Sequence, residues 1–113
     1  MTIKRGDLYL AALDPVVGSE IAKTRPAVVV SNNLNNRYGA TVTIIPVSSK
    51  KTSKIYPFEL LLPKGCGNLP KISKAKADQV RTLDKARLIK YIGSLDSEMS
   101  NRLDKALRIH LNL

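Results

Sequence analysis

Glu20, Lys23 and Arg25 sit close together in Gly18-Ser19-Glu20-Ile21-Ala22-Lys23-Thr24-Arg25, directly before the apolar run Pro26-Ala27-Val28-Val29-Val30. Arginine suits the stabilisation of phosphate charge, because its planar fork matches two oxygens. It is a poor base, since its pKa exceeds about 12. A nearby glutamate is the more natural proton acceptor. Pro26 fixes its own φ and confines Arg25 to extended geometry, so a stiff strand would root the guanidinium. A loop that folds back would bring Glu20 to Arg25. The plain alternative is that these charges only solvate a loop.

Other chemistries find little support. There is no G-x-x-x-x-G-K-[ST] and no G-x-G-x-x-G, hence no nucleotide cradle of those kinds. No His, Cys and carboxylate cluster has metal-ligand spacing, so neither a metal nor another cofactor is expected. Cys66 is the single cysteine; with no partner for a disulfide or a zinc site, it fits a reducing cytoplasm. His110 is the single histidine, but it falls on the apolar stripe of the last helical segment, where packing or a helix-end role explains it. No apolar run approaches the roughly 18 residues of a membrane span, and the N-terminus has no signal-like apolar core.

Nineteen Lys and Arg against nine Asp and Glu give a net charge of +10. Residues 50–90 hold eleven of these cations against three acids, a net +8, so the positive field comes from mid-chain. Such an excess points to a polyanion, most often nucleic acid. RNA offers a metal-free reaction, because its 2′-hydroxyl can attack the neighbouring phosphorus. An enzyme must then position the attack, move two protons and stabilise the phosphorane charge.

The elements that must position these residues are short. At 113 residues the chain is read as one domain, 1–113, large enough for one core. Residues 7–13 form a first strand and 26–31 a valine-rich buried one. Residues 32–39 carry turn chemistry, and 41–47 form a third strand in which Pro46 marks a bulge or an edge. After the basic loop 48–54, strands are expected at 56–62 and 71–80; residues 82–84 then lead into a short helix or turn, and 91–93 form a small strand. The last helix is the clearest. Asp96 is its N-cap, and Leu95, Met99, Leu103, Ala106, Leu107 and His110 share one face. The outline is a small, mostly antiparallel barrel-like sheet with a C-terminal helix.

This pattern is similar to the MazF/PemK family of toxins. The matching segments are Arg5-Gly6-Asp7-Leu8-Tyr9, Asp14-Pro15 with Gly18-Ser19-Glu20, and Arg25-Pro26-Ala27-Val28-Val29-Val30-Ser31-Asn32. They continue with Ile45-Pro46-Val47-Ser48, Tyr56-Pro57-Phe58-Glu59 and Ala77-Asp78-Gln79-Val80-Arg81-Thr82, in family order over nearly the whole chain. The resemblance implies an SH3-like barrel, a homodimer, metal-independent and sequence-specific cleavage of single-stranded RNA in the cytoplasm, and inhibition by a cognate antitoxin. It places the family's catalytic arginine on Arg25, its hydroxyl residue on Ser48 and a glutamate implicated in some members on Glu20. Many members have threonine where Ser48 stands, and a Glu-Gln pair followed by glycine where this loop reads Glu20-Ile21-Ala22-Lys23-Thr24.

The expected RNA contacts are Gly18 and Ser19 beside Glu20, then Lys50, Lys51, Lys54, Tyr56, Gln79 and Arg81. The alternative reading makes the lysines a solvated loop, Gln79 the end of a strand and Tyr56 a packing residue rather than a base-stacking surface. Rival readings are a passive nucleic-acid-binding barrel, an inactive relative kept as a scaffold, and a topoisomerase poison resembling CcdB. The last depends on a C-terminal tryptophan, and this chain has none.

Overall fold

Seven strands and two helices form in a computed structural model that describes residues 2–113. The strands are β1 (Asp7–Ala12), β2 (Thr24–Val29), β3 (Thr41–Ser48), β4 (Glu59–Leu62), β5 (Ser73–Lys76), β6 (Arg81–Asp84) and β7 (Leu88–Ser94). The helices are α1 (Asn33–Tyr38) and α2 (Ser97–Leu111). Every strand pairing is antiparallel, in the order β4-β5-β3-β2-β1-β7, with β6 also on β3. The ladder does not close: among the described residues, β4 and β7 stand at its two ends.

Strand alternation sends side chains to two faces. Leu8, Val28, Ile45, Val47, Leu60, Leu62 and Ala75 meet α2 through Leu103 and Ala106. Tyr9, Ala11, Ala27, Val29, Val42, Ile44 and Leu83 fill the other face, which Leu13 and the half-buried Ile21 help to cover. The β1–β2 loop therefore folds over this second face. The expected cap of α2 forms, with the Asp96 carboxylate accepting from the Met99 N–H at 2.8 Å. Arg5 ties the N-terminus to this helix by a two-pronged pair with Asp104, at 2.7 and 3.3 Å.

Three expectations change. The run 71–80 is not one strand: β5 ends at Lys76, Ala77–Gln79 form a 3-10 turn, and β6 begins at Arg81 and leads, as expected after 82–84, into a short 3-10 helix, Lys85–Arg87. The turn transfers the edge of β3 from one partner to the next. Thr41–Ile44 pair with β6, and Val47–Ser48 pair with β5. Pro46 falls in the gap between these ladders, so its missing N–H interrupts neither. The strand expected at 56–62 begins only at Glu59, because Tyr56–Glu59 close a turn, Glu59 N–H to Tyr56 C=O at 2.9 Å. The strand expected at 91–93 runs from Leu88 to Ser94, extended by pairing with β1. No helix among the described residues is long and apolar enough to cross a membrane.

Candidate active site

β2 starts at Thr24, so Arg25 belongs to the strand rather than to a loop at its lip. It lies opposite Ala11 of β1. On its other side β2 meets β3 with Ala27 opposite Pro46. The same antiparallel register, carried two residues further, sets Arg25 across from Ser48. Ser48 pairs in turn with Lys74 of β5. Directly opposed residues share a sheet face. One row of side chains therefore crosses four strands as Ala11, Arg25, Ser48 and Lys74, each about 5 Å from the next.

Each polar member of this row is held differently. Arg25 is half-buried, and its Nε donates to the Ala22 carbonyl at 3.3 Å; on the opposite sheet face, Leu10, Pro26, Val47 and Leu69 line a cavity of about 260 Å³. Ser48 ends β3, and its Oγ accepts from the Lys50 N–H at 3.1 Å, leaving the hydroxyl hydrogen free to donate. An arginine fork and a hydroxyl donor on one row could hold two oxygens of a single phosphate.

Glu20 is not brought to Arg25; among the described residues no ion pair joins them. Its carboxylate closes its own turn, accepting from the Val17 N–H at 2.6 Å, with Gly18 and Ser19 exposed at the tip. Gly18 takes φ +58° there, a conformation natural to glycine. The loop behind this tip is braced. Gln79 Oε1 accepts from the Ile21 N–H at 3.2 Å, and Asp14 accepts from the Lys23 N–H at 3.0 Å. Arg81 donates to the Leu13 carbonyl at 3.1 Å, and Arg87 to the carbonyls of Ala12 and Asp14. Gln79 and Arg81 thus serve the loop in this conformation.

Lys50, Lys51 and Lys54 are exposed on the basic loop. The Lys54 ammonium sits over the Tyr56 ring at 5.0 Å, and the Phe58 ring stacks on Tyr56 with centroids 5.5 Å apart. Lys54 and Phe58 both lie against the Tyr56 ring, so a base stacking there would compete with the Lys54 ammonium. Phe58 also meets His110, at 6.3 Å, and His110 remains an exposed residue of the last helical turn.

One cluster escaped the reading of the sequence. The fully buried Glu59 carboxylate accepts from Lys74 Nζ at 3.1 Å and Lys76 Nζ at 2.7 Å. It also accepts from the Tyr56 N–H at 3.0 Å, and Lys74 Nζ donates to the Lys54 carbonyl at 3.2 Å. Burial by itself would raise the Glu59 pKa. Hydrogen bonds from Lys76, the Tyr56 N–H and Lys74, with the attraction of Lys76, outweigh it and hold the carboxyl below the usual glutamate range. The available signal was lysine at alternate positions of a strand, Lys74 and Lys76, which puts both on one face. Among the described residues, no three His, Cys, Asp or Glu side chains converge as a metal site.

Comparison with known proteins gives a consistent picture. Residues 4–111 match the family described as PemK-like, MazF-like toxin of type II toxin–antitoxin system. The chain is 40% identical to endoribonuclease MazF9 of Mycobacterium tuberculosis, with 98% of each chain covered. It is 36% identical to endoribonuclease EndoA of Bacillus subtilis, covering 100% of this chain and 97% of that one. Among solved structures, MazF from Deinococcus radiodurans superposes with a TM-score of 0.85 at 26% identity, covering 100% of this chain and 99% of that one.

Proposed function

This chain belongs to the PemK-like, MazF-like toxin family of type II toxin–antitoxin systems, and on that premise we propose that it is an endoribonuclease cutting single-stranded RNA without a metal. The observation that supports the mechanism is the β2–β3 register, with Ala27 opposite Pro46, which, carried two residues further, sets Arg25 across from Ser48. In the reaction the ribose 2′-oxygen attacks the adjacent phosphorus and the P–O5′ bond breaks. The products are a 2′,3′-cyclic phosphate and a free 5′-hydroxyl. Arg25 braces the phosphorane charge and protonates the departing O5′, and Ser48 donates to a phosphate oxygen.

Glu20 accepts the 2′-hydroxyl proton. To do so it must release the Val17 N–H and swing toward Arg25. The braces at Ile21 and Lys23 leave residues 15–20 as the part that moves. Gly18 and Ser19 travel with it toward the RNA. Lys50, Lys51, Lys54 and Arg81 neutralise backbone phosphates, Tyr56 meets a base once Lys54 moves, and Gln79 meets one through its amide NH₂ while its Oε1 keeps the Ile21 brace.

We further propose that the active species is a homodimer in the cytoplasm, and that a cognate antitoxin silences it by laying an acidic segment along the basic surface. Light scattering of the purified protein tests the dimer. Replacing the 2′-hydroxyl at the cut site by hydrogen tests the chemistry: the reaction should stop on that substrate, and continued cutting would exclude internal attack. RNA that is retarded in a gel but never cut would leave a passive binding barrel instead.

A further inference from the structure

Two ammonium groups share one buried carboxylate at the edge of the catalytic row, which leaves a net positive charge fixed in place. Their environments differ. The Lys74 side chain is 6% exposed and its Nζ has two acceptors, Glu59 and the Lys54 carbonyl. The Lys76 side chain is 23% exposed and its Nζ has one acceptor, Glu59 Oε2. An ammonium carries three N–H donors, so Lys76 keeps two for an outside group. Lys74 locks the corner; Lys76 faces outward from it.

Placement gives this cation a use. Lys74 is the register partner of Ser48, and Lys76 lies two residues along β5 on the same face. Strand spacing and rise put the Cα atoms of Lys76 and Arg25 about 12 Å apart on an uncurved sheet. We propose that Lys76, held by Glu59 beside Lys74, binds an RNA backbone phosphate flanking the one that Arg25 and Ser48 hold. Glu59 is then a positioning residue. This assignment rests on the RNA-cleavage reading. It differs from the contacts of Lys50 and Lys51, which are exposed side chains on the basic loop. Lys76 is already ordered, so it loses little side-chain freedom on binding and fixes the register of the strand relative to Arg25.

The test uses the full chain and a single-stranded RNA made uncleavable by a 2′-deoxyribose at the cut site, with binding read by fluorescence anisotropy over a salt series. Lys76→Met should lower the log–log salt slope by about 0.7, the loss of one neutralised phosphate, and Lys76→Arg should restore it. A neutral methylphosphonate placed singly along the RNA should weaken wild-type binding at one flanking position, and Lys76→Met should be indifferent to that same substitution. On cleavable RNA, Lys76→Met should raise KM and retain most of kcat.

An unchanged slope and an unchanged methylphosphonate profile would overturn the assignment, while wild-type cleavage in the same assay would show that the RNA reading stands. A wild type that binds no RNA would remove both. Loss in Lys76→Met without recovery in Lys76→Arg, accompanied by a lower melting temperature, would make the role structural and overturn the proposal. Weakened binding of poly-glutamate with an unchanged RNA slope would assign the cation to an acidic protein partner instead.

Discussion

Replacing Glu59 by glutamine should destabilise the corner formed by β4, β5 and the basic loop far more than an ordinary polar substitution does. The carboxylate is fully buried and carries the Lys74, Lys76 and Tyr56 N–H hydrogen bonds at 3.1, 2.7 and 3.0 Å. Glutamine keeps the shape but loses the charge, and its amide NH₂ would face an ammonium. Lys74, only 6% exposed, would then be a buried cation without a counter-charge. Removing one partner of a buried pair costs about 3–5 kcal/mol. Against a total stability of about 5–15 kcal/mol, the fold should survive weakened. At about 4 °C per kcal/mol for a domain of this size, the melting temperature should fall by ~12–20 °C.

The assay is urea and thermal unfolding followed by circular dichroism, with a control that separates an orphaned charge from lost packing. The triple change Glu59→Leu, Lys74→Met, Lys76→Met should return stability to within about 1 kcal/mol of wild type, because apolar replacement of a whole buried ion cluster is often neutral. The pH dependence is fixed by the same geometry. The Glu59 pKa is lower folded than unfolded, so its contribution is complete above the unfolded value of about 4.3 and disappears as pH falls through the folded value. The gap between wild type and Glu59→Gln should therefore be constant near neutrality and close in acid. A cost below about 1 kcal/mol at pH 7, or a gap that widens in acid, would refute the reasoning.

Ser48→Ala should lower kcat by about 100-fold through loss of one donor to the phosphate, and Ser48→Thr should stay within a few-fold, as single-turnover kinetics would reveal. Gly93→Ala should cost about 1–3 kcal/mol in urea unfolding, because a methyl at Gly93 meets the Gly67 carbonyl, with the Gly67 carbon 2.8 Å away. Replacing Lys50 and Lys51 together by Met should flatten the salt dependence of RNA binding by ~1.4 log units per log salt, two phosphates at about 0.7 each, and an unchanged slope would clear both residues.

What could be read from the sequence was what neighbours in the chain decide. The last helix announced itself through the Asp96 cap and the spacing of Leu95, Leu103 and Ala106, all of which are buried except the cap. The valine run gave β2, and the ordered motifs gave the family. Contacts between distant segments were hidden. Lys74 and Lys76 find their carboxylate 15 and 17 residues upstream, and no local pattern joins them. Residues 71–80 looked like one strand because their alternation continues, whereas the tertiary need to serve both halves of β3 breaks them at Ala77–Gln79. Spacing alone would let the loop bring Glu20 to Arg25. The competing local turn, Val17 N–H to the Glu20 carboxylate, claims that side chain in this conformation.

The central claim is that the Arg25 guanidinium, rooted in β2 opposite Ser48, stabilises a phosphate while RNA cleaves itself. Its most direct test is single-turnover cleavage of a long defined RNA in excess EDTA by wild type and Arg25→Ala, with the new ends analysed chemically. The account predicts cutting by the wild type to cyclic-phosphate and 5′-hydroxyl ends, and a loss of about 100-fold or more in Arg25→Ala with RNA still bound. Near-wild-type cleavage by Arg25→Ala, or wild-type activity abolished by EDTA, would contradict it.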